Sequence, residues 1–254
     1  MVTLEMSGRI FTFGCSFTRY LWPTWADIIN YDLDNQSHNW GICGIGNIAI
    51  LHKMLECDLK HTFDSNDIIL VNWSSWHRED RLVNPGLWQE GGNVFNNHNF
   101  DKSFISKYWN EHNDIVKNVS AIIMANKMFN INFQSHMTDF DTYKDISDKH
   151  NYLFNNLPKT IIFDVTNNSR FDNKTHDSHP DVCCHINHVN TIYNSIGLTI
   201  NPSTVDHFNK LQERIVTELT DTDMDMSWDK KVKFFTNLIG FNNLESDQQG
   251  LIVK

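Results

Sequence analysis

Short apolar runs alternate with amphipathic stretches along most of this chain. The runs that predict buried strands cover residues 9–14, 37–42, 67–73, 130–136 and 160–165. Apolar residues recur at helical spacing in residues 24–33, 47–60 and 103–129. Strands that alternate with helices predict an α/β fold, in which helices cover both faces of a mostly parallel sheet of about five strands.

The length of the chain suits one α/β domain with insertions. We expect that domain to cover residues 1–203, with polar insertions near 78–101 and 137–158. The Gly- and Asn-rich part of the first insertion, residues 84–101, predicts a long loop of the kind that acts as a lid. Residues 204–254 hold two helical patterns joined by an acidic linker, and they predict a C-terminal helical extension packed on the domain.

Charge and cysteine usage narrow the range of partners. The formal net charge is -10, so the chain lacks the clustered Lys and Arg with which proteins bind nucleic acids or anionic membranes. Its five cysteines form no C-x-x-C pair, which indicates a reduced, intracellular set. We see no signal-peptide pattern and no apolar run long enough for a membrane span, so the expectation is a soluble protein made in a cytoplasm.

A first candidate site follows the first predicted strand, in Gly14-Cys15-Ser16-Phe17-Thr18. A serine on a strand-to-helix turn exposes its hydroxyl where backbone N–H groups converge, which is the arrangement of a nucleophile. A helix cap made by Ser16 or Thr18 is the alternative. A thiol nucleophile at Cys15 is less favoured, because a neighbouring side chain on a tight turn points elsewhere, toward the core.

A second candidate site is the segment from Asn39 to Asn47, which follows the second predicted strand. Gly44 can offer a backbone N–H to an oxyanion, and Asn47 can add a side-chain donor. The alternatives are a glycine turn with Asn47 as helix N-cap, or a phosphate-binding loop. The full G-x-G-x-x-G pattern of dinucleotide sites is missing, which argues against the phosphate loop.

A third candidate site is Asp177-Ser178-His179-Pro180. A catalytic histidine needs a carboxylate to fix its tautomer, and Asp177 lies two residues before His179. A metal site is the rival interpretation, although its spacings match no zinc pattern. The side chains that would form it are His176, His179, Cys183, Cys184, His185 and His188.

In order, these three blocks resemble the SGNH/GDSL hydrolase superfamily, and more closely a G-C-S-F-T branch common in phage and environmental sequences. The resemblance runs over about residues 9–197. It implies a flavodoxin-like three-layer fold and a phage- or virus-encoded origin. It also implies ester or acyl hydrolysis without a cofactor. Ser16 corresponds to the nucleophile, and its N–H and that of Gly44 to the oxyanion donors. Asp177 and His179 correspond to the activating pair.

Two blocks depart from the pattern of that superfamily. In the first block, Cys15 stands where the superfamily has Asp. A further block of the superfamily, Gly-x-Asn-Asp, is replaced here by the residues at the end of the third strand, Trp73-Ser74-Ser75-Trp76-His77-Arg78. The superfamily's oxyanion Asn is therefore absent from its expected place. Ser74, Ser75 or Asn47 would substitute for it, or the oxyanion hole has only two donors.

Side chains after the third strand also predict substrate contacts. Arg78 can bind a carboxylate or phosphate of the substrate, or can pair with an acidic neighbour. Trp73, Trp76 and Trp88 can stack on a sugar or acyl group, with burial in the core as the alternative. We expect a small-molecule or carbohydrate ester as substrate. The other hypotheses are an O-acyltransferase with the same triad, or a non-catalytic carbohydrate-binding or phage-particle protein.

Overall fold

The computed structural model describes residues 8–33, 36–83, 87–89, 92–96, 100–137, 144–163, 179–219 and 227–240. A parallel five-stranded sheet forms its centre, in the order β2-β1-β3-β6-β7. Its strands are β1 Ile10–Gly14, β2 Ser37–Asn39, β3 Ile68–Trp73, β6 Phe133–His136 and β7 Ile161–Ile162. Two further strands, β4 Arg81–Val83 and β5 Leu87–Gln89, pair in an antiparallel hairpin.

Helices surround the sheet. They are α1 Trp25–Leu33, α2 Asn47–His61, α3 Lys102–Tyr108, α4 Glu111–Met128, α5 Lys144–Lys149, α6 Asn151–Phe154, α7 Val182–Ile196, α8 Pro202–Glu218 and α9 Trp228–Ile239. α1 packs against α7 and α7 against α8, whereas α2 packs against α4. The predicted three-layer α/β class is therefore confirmed, with a helical C-terminal segment.

The alternation of side chains along the strands fixes which layer each one meets. Phe11 of β1 packs on His61 and Phe63, at the end of α2. On the opposite face, Phe133 of β6 contacts His188 of α7, which also meets Trp25 of α1. All these rings except those of His61 and Phe63 are buried, so the core lies on both sides of the sheet.

β1 and β3 are neighbours in the sheet. β2 lies on the outer side of β1, and β6 lies on the outer side of β3. Ligands of open parallel sheets bind at the carboxyl ends of strands where the order reverses in this way. Here that point is the end of β1 and β3, where Gly14 lies opposite Asn72. Ser16 and Ser74 follow these two strands directly.

Two predicted segments differ in the structure. The single helix predicted over 103–129 is two helices, because the Asn110 side chain accepts a 2.9 Å hydrogen bond from the amide of Asn113 and caps a new helix, α4. The long loop predicted over 84–101 contains β5 and a 3-10 turn at Val94–Asn96. Among the helices of the described residues, none is both long and apolar enough to cross a bilayer.

Candidate functional site

Ser16 lies in a tight turn directly after β1. The amide of Thr18 donates a 2.9 Å hydrogen bond to the carbonyl of Cys15 and folds the chain back. Gly14 is required at the start of this turn, because a Cβ there would lie 2.7 Å from the carbonyl oxygen of Asn72. The turn is therefore pressed against β3, and Ser16 itself is only 3% exposed.

The structure brings His179 to this serine from 163 residues away in the chain. Nε2 of His179 lies 2.8 Å from Oγ of Ser16, which is hydrogen-bonding distance. The imidazole ring stacks on Tyr20 at 3.8 Å between centroids. Phe17 meets it edge-on at 5.6 Å. Two aromatic side chains of the Ser16 turn therefore hold the ring that faces the hydroxyl.

Buried hydrogen bonds fix the backbone on the C-terminal side of His179. The indole N–H of Trp22 donates to the carbonyl of Pro180 over 2.8 Å. The carboxylate of Asp181 caps α7 and accepts a 3.1 Å bond from the side-chain amide of Gln212, whose oxygen accepts from the amide of Val182. The start of α7 is thus tied both to the loop after β1 and to α8.

The predicted carboxylate partner of the histidine, Asp177, lies outside the described residues, as does His176. Its proposed role in orienting His179 therefore stays a prediction. The distance that the structure does give, between His179 and Ser16, is the one that a proton transfer between base and nucleophile requires.

Gly44 belongs to a loop that runs beside the Ser16 turn. The amide of Ile42 donates a 3.1 Å hydrogen bond to the carbonyl of Gly14, which joins the two segments. Gly44 has a φ of +79°, a conformation that favours glycine. Its carbonyl accepts a 2.9 Å bond from the amide of Gly92. Gly44, the predicted oxyanion donor, thus lies in a loop that is hydrogen-bonded to neighbouring segments and runs next to the turn of Ser16.

Asp80 and Arg78 brace the same loop from the segment after β3. The carboxylate of Asp80 accepts hydrogen bonds from the amides of Gly46, at 2.6 Å, and Ala49, at 2.9 Å. It caps α2, and burial raises its pKa to about 6. The Arg78 guanidinium donates to the carbonyl of Ile45 over 3.0 Å. Arg78, predicted as a substrate ligand, therefore binds protein backbone here.

Asn47, predicted as an oxyanion donor, is fully buried and already bonded. Its side-chain amide donates to the carbonyl of Ser74 over 3.1 Å and to Oδ1 of Asn118 over 2.6 Å. Its oxygen accepts from the amide of Ser74 over 2.7 Å. Both N–H groups are taken, so the prediction that Asn47 donates to an oxyanion is wrong. The residue instead ties α2 to the end of β3 and to α4.

The two serines after β3 differ in what their hydroxyls contact. Oγ of Ser75 lies 2.8 Å from Nδ1 of His77 and so forms a hydrogen bond within its own turn. Oγ of Ser74 is buried and has no hydrogen-bond partner among the described residues. Of the three side chains considered as replacements for the missing Asn, Ser74 is therefore the one whose polar group makes no hydrogen bond to the described residues.

Trp73 and Trp76 are core residues. Trp73 is completely buried, and its indole N–H donates to the side-chain oxygen of Gln134 over 3.0 Å. Trp76 is 2% exposed and is stacked between His77 and Trp109. Neither ring has a face for a substrate, so their predicted stacking role is wrong and the alternative, burial in the core, holds.

Two side chains of the rival metal hypothesis, those of His188 and Cys184, bind separate protein partners. Nε2 of His188 lies 3.2 Å from Oγ of Ser135, and burial lowers the pKa of His188 to about 3. The thiol of Cys184 donates to the Asp181 carboxylate over 2.9 Å. Within the described ranges, no group of three or more His, Cys, Asp or Glu side chains is arranged to hold a metal ion. The thiol of Cys15 is completely buried and contacts Met137.

Sequence reasoning missed the contribution of the C-terminal helices to this site. Trp228, at the start of α9, lies 6.1 Å from the ring of Tyr20 and is 46% exposed. Phe235 of α9 packs on Trp22 at 5.2 Å. The amphipathic pattern of α9 signals a buried face but not what that face meets, so only the three-dimensional contacts reveal these residues.

No protein-family model, curated protein or solved structure matches this chain. What the site can do follows from its own geometry. A serine hydroxyl, an imidazole within hydrogen-bonding distance and a braced glycine loop lie together at the carboxyl edge of a parallel sheet. This arrangement is suited to nucleophilic attack by Ser16.

Proposed function

We propose that the protein is a serine hydrolase that cleaves ester bonds, with Ser16 as nucleophile and His179 as general base. The observation that carries the proposal is the 2.8 Å contact between His179 Nε2 and Ser16 Oγ, formed between two turns at the active edge of the sheet. An imidazole that has no such role has little reason to be held against a serine hydroxyl by one stacked and one edge-on aromatic ring.

The reaction proceeds in two halves. Nε2 of His179 takes the hydroxyl proton while Oγ of Ser16 bonds to the carbonyl carbon of the ester. The proton then passes to the departing alcohol oxygen as the C–O bond breaks and leaves an acyl-serine. A water molecule, deprotonated by the same imidazole, attacks the acyl-serine. The bond between Oγ and the acyl carbon breaks, the imidazolium returns the proton to Oγ of Ser16, and the acid is released. Asp177 is assigned the role of stabilising the imidazolium.

Three N–H or O–H groups are the candidates for holding the oxyanion that develops in each half-reaction. They are the backbone N–H groups of Ser16 and Gly44 and the hydroxyl of Ser74. The buried, unpartnered Oγ of Ser74 supports the third assignment, since a buried hydroxyl without a partner is costly unless it serves a ligand. One such donor is worth about 100- to 1,000-fold in rate.

Activity-based labelling tests the nucleophile. A fluorophosphonate probe, followed by mass mapping, is expected to modify Ser16 and to leave the Ser16→Ala variant unlabelled. Ser106→Ala is the matched control, because that hydroxyl is exposed on α3 and bonds only to its own helix. Turnover of phenyl acetate should disappear in Ser16→Ala and in His179→Ala but not in the control. Undiminished turnover by Ser16→Ala would reject the proposal.

A non-catalytic carbohydrate-binding protein is the second candidate. The engagement of Asn47 in the core favours it, because the site then lacks a side-chain amide for the oxyanion. The half-exposed ring of Trp228 beside Tyr20 is a surface on which a sugar ring can stack. Binding on a glycan array, together with no probe labelling at Ser16, would decide for this function.

A further inference from the structure

Arg19 is a buried cation with few partners. Its side chain is 7% exposed, and it donates one hydrogen bond, over 3.3 Å, to the carbonyl of Gly41. A guanidinium can donate several more. Burial lowers the pKa of Arg19, but an arginine stays protonated in proteins. The described residues therefore leave most of the donors of this buried positive charge unused.

Carboxylates usually accompany a buried charge of this kind. Among the residues that the structure describes, none lies within ion-pairing distance of the Arg19 guanidinium. Asp27 is near enough to affect Arg19 electrostatically, but its Oδ2 accepts from the amide of Thr24 at 2.7 Å and from the Thr24 hydroxyl at 3.0 Å. The charge of Arg19 thus lacks a close counter-ion in this part of the protein.

The position of Arg19 connects it to the candidate active site. It lies three residues after Ser16, and its amide donates to the carbonyl of Cys15 over 3.2 Å. On its other side, the thiol of Cys43 donates to the carbonyl of Arg19 over 3.4 Å. The backbone of Arg19 is therefore hydrogen-bonded both to the turn that contains Ser16 and to the loop that contains Gly44.

We propose that Arg19 binds an oxyanion group, a carboxylate or a phosphate, carried by the ester substrate. The inference rests on the proposed function and narrows its substrate class to anionic esters. A guanidinium pairs with such groups through parallel N–H···O bonds, which its unused donors allow. The sequence assigned this role to Arg78. Each of the two guanidinium groups donates to one backbone carbonyl, but Arg19 is the more deeply buried and lies three residues after Ser16.

Matched esters test the proposal by kinetics. In the first pair the anionic ester carries its carboxylate in the alcohol: 4-acetoxybenzoate is compared with neutral phenyl acetate. In the second pair the carboxylate is in the acyl group: mono-4-nitrophenyl succinate is compared with neutral 4-nitrophenyl butyrate. For at least one pair we expect kcat/KM to favour the anionic ester by about 10-fold or more, the worth of a charge-assisted hydrogen bond. Arg19→Met should abolish this preference, because it should lower kcat/KM for the anionic ester by about 10-fold more than kcat/KM for the neutral ester.

Two further variants separate a specific site from a general charge effect. Arg214→Met removes one positive charge from the exposed surface of α8 and should keep the preference. Arg19→Lys keeps the charge but loses the paired donors, and should give an intermediate preference. Equal turnover of neutral and anionic esters by the parent protein in both pairs would overturn the proposal. An equal loss of kcat/KM for the anionic and the neutral ester in Arg19→Met would also overturn the proposal.

Binding to Ser16→Ala protein separates this proposal from the proposed chemistry, because it needs no turnover. Calorimetric titration with 4-acetoxybenzoate and with mono-4-nitrophenyl succinate should show, for at least one of them, affinity about 10-fold or more weaker when Arg19→Met is added. The neutral esters should show no such change. If the parent protein hydrolyses none of the esters and this affinity difference is found, the hydrolase is rejected and the anion site is kept. An unchanged affinity for both anionic esters would reject the anion site. Arg19→Met should melt no lower than its parent, because it removes a buried charge that has no ion-pair partner among the described residues.

Discussion

Replacing Trp22 by Phe measures how much one buried hydrogen bond contributes to the stability of the protein and to the position of His179. The change removes the indole N–H that donates to the carbonyl of Pro180 over 2.8 Å, directly after His179. Trp22 is completely buried, so water cannot take over the bond without entering the core. The Pro180 carbonyl, also buried, would be left without this donor.

Trp25→Phe is the matched control for the size of the removed ring. Trp25 is also buried, at 1% exposure, but its indole N–H has no hydrogen-bond partner among the described residues. Both variants lose the same atoms and create similar cavities. The difference between them therefore reports the hydrogen bond, because only Trp22→Phe leaves an acceptor unsatisfied.

The expected difference is about 1–3 kcal/mol in the free energy of unfolding, the cost of leaving a buried polar group unpaired. For a domain of this size each kcal/mol lowers Tm by about 2–4 °C. Calorimetry should thus place Trp22→Phe about 2–12 °C below Trp25→Phe. Because a displacement of about 1 Å at a catalytic group can cost about 100-fold, kcat for phenyl acetate should also fall by up to that factor in Trp22→Phe alone. Equal Tm and equal kcat in the two variants would refute this account of the loop.

Three other changes give separable outcomes. Burial raises the pKa of Asp80 to about 6, above its ordinary 3.8, so the folded state holds this proton more tightly. Stability should therefore fall through this group as pH rises from about 4 to about 6, and urea titrations of Asp80→Asn should lack that slope; parallel pH profiles would contradict it. Ser74→Ala should lower kcat by about 100-fold with KM little changed, whereas an unaltered kcat would remove Ser74 from the oxyanion hole. Trp228→Ala should raise KM for aryl esters by about 5-fold and Trp228→Phe by much less, since stacking stabilises by about 1 kcal/mol; a change in kcat alone would place Trp228 outside the substrate site.

The two central strands could be predicted from the sequence because β1 and β3 are continuous runs of mostly apolar residues. The bounds depend on particular side chains. β2 was predicted to reach residue 42, yet it ends at Asn39. The Asn39 amide donates to the carbonyl of Thr18 and its oxygen accepts from the amide of Gly41, both over 2.9 Å. These bonds form a local turn at Asn39 that ends the regular strand, although the amides of Trp40 and Ile42 still donate to the β1 carbonyls of Thr12 and Gly14. No periodicity of apolar residues reports such a turn.

The pairing of Ser16 with His179 could be anticipated because each follows a recognisable block, and the blocks come in a characteristic order. The failures at Asn47, Trp73 and Trp76 share one cause. Amide and indole groups serve equally well in a core or in a binding site, and the choice depends on partners that are distant in the chain. For Asn47 one partner is Asn118, 71 residues away, a relation that sequence spacing does not encode.

The bond between Asp181 and Gln212 also bears on the order in which a newly made chain acquires its site. A ribosome releases Ser16 163 residues ahead of His179, and it releases Gln212 and the Phe235 that packs on Trp22 later still. The serine hydroxyl therefore has no imidazole partner until residue 179 has been made, and the imidazole lacks these supports until residues 212 and 235 have been made. Chemistry that depends on the assembled pair is withheld from a nascent chain that has not yet reached them.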